Sequence, residues 1–307
     1  MRLALPLLML LPALAAAQIE PTQLYNGIRR PFFVKVRAPG GDAKVEIQAL
    51  TPVTAVPLYS AVVQAGRVDI AKALPDLWTT KRARLLYLQL LVDGKKRGPA
   101  LVLQPMTVPD NSRLAADGKT VEFVPDEDQE FAGYRAYVDQ HLVFETSMGR
   151  MEFRLRPDCA PNTAFNIMEF ARNGLYTETI WHRVVARRKD GTPFVIQGGD
   201  PAGTGSGGPG FAYPLEKSPL PHDFGVISIA RSTDPNTNGC QVFVCLSRDG
   251  TKHLDGRYAS FGQLLSGGDV VKKIAAVPVG KDDRPNDPPV IHRVRLINAG
   301  PYEPIAG

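Results

Sequence analysis

The chain has 307 residues, 44% of them apolar and 22% charged, which is enough to bury an ordinary core and excludes a disordered or collagen-like polypeptide. Its 28 Gly and 27 Pro follow no repeat, so they read as turns and argue against long helical bundles. The net charge of +5 is spread thinly, +3 over residues 18–138 and +1 over residues 139–307, so no basic face for nucleic acid stands out.

Met1-Arg2 is followed by a twelve-residue apolar run and then Ala15-Ala16-Ala17. This pattern predicts a secretory leader over residues 1–17, cut before Gln18, and an exported chain that is periplasmic or extracellular. The run is too short to span a bilayer, and the mature chain is expected to have no membrane association. Residues 18–138 then read as short strands: Phe32–Arg37, Lys44–Leu50, Leu58–Val63, Arg84–Val92, Ala100–Gln104 and Thr120–Val124. The fourth and fifth pair across Asp93–Gly98 as a hairpin. This spacing predicts a β-sandwich-like N-terminal domain. It holds no Cys or His, and Trp78 and Tyr87 read as core. No role or recruitment partner can be assigned to it. The acidic stretch Pro125–Glu130 marks a junction, and the chain is divided into residues 18–138 and 139–307.

Past the junction, Leu142–Leu155 reads as strand, turn, strand. Pro161 opens a helix whose Ala164, Ile167, Met168, Ala171 and Leu175 share one face, with Gly174 as its left-handed terminator. A second helix is expected at Asp269–Ala276, capped by Asp269 and stopped by Pro278. Short β-runs fall at Ile180–Val185, Phe194–Gln197, Val226–Ala230, Gln241–Cys245 and Ser260–Gln263. Two helices among antiparallel strands predict a closed barrel capped at both ends. Cys159, Cys240 and Cys245 form no closed disulfide set. Cys240 and Cys245 face opposite sides of a strand, and a small buried apolar side chain is the simplest reading of at least Cys245. With no CxxC or HExxH, no metal is indicated. Gly203–Gly208 formally contains GxGxxG, but no helix follows it, so no dinucleotide is expected.

Four stretches stand in order: WHRVV at 181–185, FVIQGGD at 194–200, NTNGCQVFV at 236–244 and LDGRYASFG at 254–262. Together they resemble the cyclophilin family of peptidyl-prolyl cis-trans isomerases over residues 139–298, in a bacterial exported type with an extra N-terminal domain. The resemblance implies an eight-stranded antiparallel barrel capped by two helices, no cofactor, and proline-containing polypeptides as substrates. It implies that Arg183 is the catalytic donor, and that Gln197 bonds the substrate backbone and helps orient the arginine. Phe194, Val195, Phe243 and Leu254 match the family's proline pocket. Gly205, Ala230, Arg231 and Gln241 match the groove for residues before proline. The chain also departs from the pattern. His253 stands where a large aromatic is usual, Tyr258 where His is, and Arg231 where Asn is. The Ala186–Pro193 link is longer.

The chemistry can be argued beside the resemblance. An X–Pro bond isomerises slowly because twisting the amide costs its resonance, a barrier of about 18–20 kcal/mol. In the twisted amide the prolyl nitrogen regains a lone pair, and a fixed cationic donor beside it lowers the barrier without a nucleophile. The alternative reading is a non-catalytic proline-peptide binding module or scaffold. Arg183 beside an intact apolar pocket is the feature that separates the two.

Overall fold

The computed structural model describes residues 18–78, 84–125 and 130–305. The leader expected at residues 1–17, and residues 126–129 of the acidic stretch, lie outside the described residues. In chain order the first strands are β1 (Gln18–Pro21), β2 (Tyr25–Gly27), β3 (Phe33–Arg37), β4 (Val45–Leu50), β5 (Pro57–Val62) and β6 (Gly66–Asp69). After helix α1 (Ile70–Ala73) come β7 (Leu86–Val92), β8 (Lys95–Pro105), β9 (Asn111–Leu114), β10 (Val121–Val124) and β11 (Gly133–Val138). Then follow β12 (Gln140–Thr146), β13 (Gly149–Leu155), α2 (Pro161–Arg172), β14 (Thr179–Ile180), β15 (Arg183–Arg187), β16 (Pro193–Gly198), β17 (Val226–Ile229) and β18 (Val242–Cys245). The last are α3 (Arg248–Thr251), β19 (Ser260–Ser266), α4 (Gly268–Ala275) and β20 (Val290–Asn298).

Apart from the two-stranded β9–β10 hairpin, the strands build three layers. A three-stranded sheet, β1-β3-β6, covers one face of a six-stranded sheet, β2-β11-β8-β7-β4-β5. The other face of that sheet lies against a nine-stranded antiparallel sheet, β14-β20-β12-β13-β19-β17-β18-β16-β15. Every residue of β7 is buried for this reason. Leu86, Leu88 and Leu90 enter the sandwich core, while Tyr87 joins the core shared with the nine-stranded sheet. A strand buried on both faces loses its polar alternation and reads as a continuous apolar run. Gln89 sits on the barrel-facing side, and its Oε1 accepts from Tyr302 N at 2.7 Å. Tyr302 stacks on Tyr87 with ring centroids 3.7 Å apart, so the C-terminal tail is clamped to the six-stranded sheet.

The protein is therefore mainly β, as expected, with a curled C-terminal sheet preceded by a β-rich N-terminal region. Eight longer strands carry the C-terminal sheet, and the two-residue β14 is the ninth. Curling brings Val184 and Ile196 from one margin into the same core as Ile291 and Phe144. An isolated bridge from Ile180 to Asp200 ties β14 to the end of β16. Helix α2 buries Ala164, Ile167, Met168 and Ala171 in this core. Its start has no side-chain cap of its own. Glu216 replaces one, accepting from Asn162 N at 2.9 Å and from Thr163 N at 2.7 Å. Gly174 holds the expected left-handed conformation, φ +78°. The second helix differs from expectation at its cap. Gly267, at φ +92°, is its N-cap, and Asp269 instead pairs with Lys273 one turn on. A side chain at 267 would strike the backbone of Arg150 and Met151, so only Gly fits the cap position. Among the described residues no helix is long and apolar enough to cross a membrane.

Candidate active site

The period of two along the strands sorts side chains to the two faces of the curled sheet. Val184, Ile196, Ile227, Val242 and Val244 point into the barrel core. Their neighbours Val185, Val195, Val226, Phe243 and Cys245 form a second apolar cluster with Leu220 and Leu254 on the other face. This cluster floors a cavity of about 160 Å³ lined by Arg183, Phe194, Val195, Phe243, Leu254 and Tyr258. Phe243 is fixed edge-on by Tyr258, with centroids 5.6 Å apart and planes at 87°. On another side His222 stacks on it at 5.9 Å. His222 is buried between Asp255 and Ser228, each 3.0 Å from one ring nitrogen. Burial pushes its pKa down, with the Asp255 contacts opposing. Burial alone would raise Asp255, but hydrogen bonds from Arg248 and His222 hold it at about 2. The pocket floor therefore rests on a neutral ring beside an ionised carboxylate.

Arg183 begins β15 directly opposite Gln197 in β16. Its Nη2 donates to Asp283 Oδ2 at 3.2 Å. The Gln197 amide instead donates to Gln241 Oε1 at 3.1 Å. Gln241 in turn donates to Gly205 O at 3.0 Å and Gly207 O at 2.9 Å. The glycine-rich loop wraps the Asp200 carboxylate, which accepts from the backbone N–H of Ala202, Thr204, Gly205 and Gly207. Burial opposes the charge on Asp200, and these donors keep its pKa below the usual range. A Cβ on Gly207 would overlap that carboxylate. The GxGxxG pattern is thus a nest filled by the chain's own Asp200. With Ala230 and Gln241 this loop lines a second cavity, of about 440 Å³.

All twelve residues singled out from the sequence surround this continuous groove. His253 stacks on Phe194 at 5.7 Å with planes 18° apart, so it stands at the rim. Arg231 proves to be a brace. Its guanidinium donates to Arg257 O, Ser232 O and Thr233 O, and lies 4.7 Å from the Tyr258 ring centre. Burial lowers its pKa, yet it bolts two loops of the rim together. Sequence reasoning missed Asp283 and Arg188, whose guanidinium lies 5.8 Å from the Phe194 ring centre. It also missed Leu114 and Gly118, which reach the rim from the N-terminal region. The three cysteines are free and buried. Burial pushes Cys159 and Cys245 to about 12 and Cys240 to about 11, so none is a thiolate at neutral pH. Among the described residues no three His, Cys, Asp or Glu side chains gather as a metal site.

The fold and site define an antiparallel β-sheet protein whose curled sheet carries an apolar pocket with a guanidinium at its edge. The sequence profile of "Cyclophilin type peptidyl-prolyl cis-trans isomerase/CLD" matches residues 141–296. "Peptidyl-prolyl cis-trans isomerase-like 1" of Gibberella zeae is 38% identical over 162 residues, covering 51% of this chain and 94% of its own. "Peptidyl-prolyl cis-trans isomerase CYP18-2" of Arabidopsis thaliana is 35% identical over 161 residues, covering 51% of this chain and 90% of its own. Among solved structures, a cyclophilin type isomerase of Cryptosporidium parvum in the presence of the dipeptide Ala-Pro is 32% identical. It covers 52% of this chain and 100% of its own, with a TM-score of 0.47. The chain belongs to the cyclophilin-type peptidyl-prolyl cis-trans isomerases. Residues 18–138 lie outside the matched stretch.

Proposed function

We propose that this protein turns over X–Pro bonds in exported polypeptides, with Arg183 donating to the prolyl nitrogen as the amide twists. The observation that carries this reading is the Arg183 guanidinium at the edge of the pocket made by Phe194, Val195, Phe243 and Leu254. The apolar walls take the proline ring. Gln197 lines the same pocket and presents its amide to the substrate backbone, while Gln241 braces it against the glycine-rich loop. Nothing in the step needs a covalent intermediate. An acceleration of about 10⁵ corresponds to about 7 kcal/mol. One hydrogen bond to a charged donor contributes roughly 1.5–3 kcal/mol. Orientation in a desolvated pocket supplies the rest.

A proline-limited refolding assay, paired with a short proline peptide, tests the reading. Arg183→Ala should lose two to three orders of magnitude in kcat/KM, about 2.7–4 kcal/mol, the scale for one preorganised donor. Arg183→Lys should recover only part, because a point charge on a flexible stem lacks the planar fork. Arg183 is partly exposed, so the thermal melt should barely move. A folded Arg183→Ala protein with full activity would remove the mechanism. The basic and apolar start of the chain supports export, and N-terminal sequencing of the secreted form checks that part separately.

A further inference from the structure

We propose that the N-terminal region supplies one wall of a substrate subsite, and that this subsite selects proline segments flanked by acidic side chains. The inference rests on the isomerase reading and extends it to residues outside the family match. The β9–β10 hairpin projects from the sandwich to the rim of the groove. Ser112 is buried there and bonded to Asn236 in both directions. Its Oγ lies 2.9 Å from Asn236 Oδ1, and Asn236 Nδ2 donates to Ser112 O at 2.8 Å. The hairpin is stiff at its far end. Asp117 accepts from Lys119 N and Thr120 N, each at 2.8 Å, and Arg113 pairs with Glu122 across the strands.

Between hairpin and barrel lies a polar recess of about 440 Å³, lined by Leu114, Gly118, Arg231, Thr233, Arg257 and Tyr258. Arg231 and Tyr258 also line the proline pocket, so a polypeptide seated there continues directly into the recess. The recess carries two guanidinium groups. Those N–H groups of Arg231 that touch protein go to backbone carbonyls, which leaves its positive charge uncancelled. The buried Arg257 Nε has no acceptor. Asp234 is the carboxylate that acts on Arg231, and it also accepts from Asn236 N. Asp117 is directed at its own turn, and Glu122 is paired. The balance is positive, and a carboxylate a few residues from the substrate proline matches that charge. A substrate too short to leave the proline pocket would not meet the hairpin.

The test uses the full mature chain and three peptides. One is a short neutral proline peptide; the others are longer and identical except for flanking Glu or Lys residues. Exchange rates are read by NMR. Wild-type protein should favour the Glu peptide by about two- to fivefold at low salt, the range of an exposed ion pair, and lose the preference in high salt. Leu114→Glu and Thr233→Glu place a carboxylate in the recess from opposite walls. Either should cancel or invert the preference. Two variants on different elements guard against a misfolded one, and melts identify it. Equal wild-type rates on the Glu and Lys peptides, or a preference that survives both substitutions, would overturn the subsite while leaving the enzyme intact. No turnover of the short neutral peptide by wild type would instead sink the isomerase reading, and the subsite with it.

Discussion

The carboxylate that holds Arg183 sits on strained backbone. Asp282 and Asp283 both have φ of +60°, and neither is glycine. A left-handed conformation costs a residue with a Cβ roughly 1–2 kcal/mol. The turn is held from several sides: Gly280 N donates to Arg284 O at 2.8 Å, Asn286 N to Pro278 O at 3.0 Å, and Arg284 Nη1 to Gly203 O at 2.8 Å. Strain that the surroundings enforce beside a functional side chain is a sign of use. Here its effect is to aim one acceptor at one guanidinium. Asp283→Gly should relieve the strain, so its melting temperature should stay level or rise. It should also release Arg183, and kcat should fall about three- to tenfold with little change in KM, on the scale of one weakened charged hydrogen bond. Asp283→Asn tolerates the same backbone and keeps an acceptor, so it should restore part of the rate. A Gly variant with unchanged kcat would show that the pair is incidental. Arg183 itself was legible from its WHRVV setting. Asp283 was not, because one hundred residues separate the partners and nothing local marks an aspartate that bonds across a barrel rim.

At the scale of elements, the longer β15–β16 link has a defined place. It folds as a hairpin, with Arg187 opposite Pro193 and Arg188 N bonded to Thr192 O at 2.8 Å. Arg188 Nη1 reaches Gly250 O at 3.4 Å, and its charge lies over Phe194. His253 packs on the same ring, and its pKa is lowered by burial first, then by Arg188 and Arg257. Arg188→Ala should therefore raise the His253 pKa toward its ordinary value, measured by NMR titration of the ring. An unmoved pKa would leave burial and Arg257 as the causes. The strands of this region were readable because one face is core and the other is floor or solvent, as in β13, where Met151, Phe153 and Leu155 alternate inward. β1 and β6 were missed because Gln18–Pro21 ends on Pro and Gly66–Asp69 opens on Gly, so turn-forming residues and charges leave each strand a single strongly apolar residue to register. The Asp269 cap was misread because a side-chain cap competes with a glycine that close backbone contact requires, and sequence spacing does not show that contact. The β9–β10 hairpin was half seen, as Thr120–Val124, but its position beside the site depends on Ser112 meeting Asn236, 124 residues away.

Over the whole molecule, the two regions share one core, and Asp139 sits where they join. Leu50, Tyr87, Ala100, Val102 and Tyr137 from the six-stranded sheet, with Leu85 just before β7, pack into the same cluster as Phe165, Met168 and Tyr302. Asp139 lies between β11 and β12, its N–H bonded to Ala100 O at 2.8 Å and its carbonyl accepting from Ala299 N at 3.0 Å. Its side chain is buried with them, 5% exposed. Burial raises its pKa to about 7, Arg154 opposing and Asp158 adding to the rise. An unfolded chain releases this proton near pH 3.9. Between about pH 4 and pH 7 the folded protein thus holds a proton that the unfolded chain has lost, and stability falls as pH rises through that window. Above pH 7 both states are ionised and the loss is complete, at most about 4 kcal/mol. Glu216 is raised by burial too, so the wild-type slope contains more than one group. Asp139→Asn removes one of them. Urea midpoints at pH 4.5 and 7.5 should differ less in this variant than in wild type, with the variant the more stable at pH 7.5 and nearly equal at pH 4.5. Parallel pH profiles for the two proteins would mean that Asp139 is solvated in solution, and that the junction between the regions opens more readily than its packing implies.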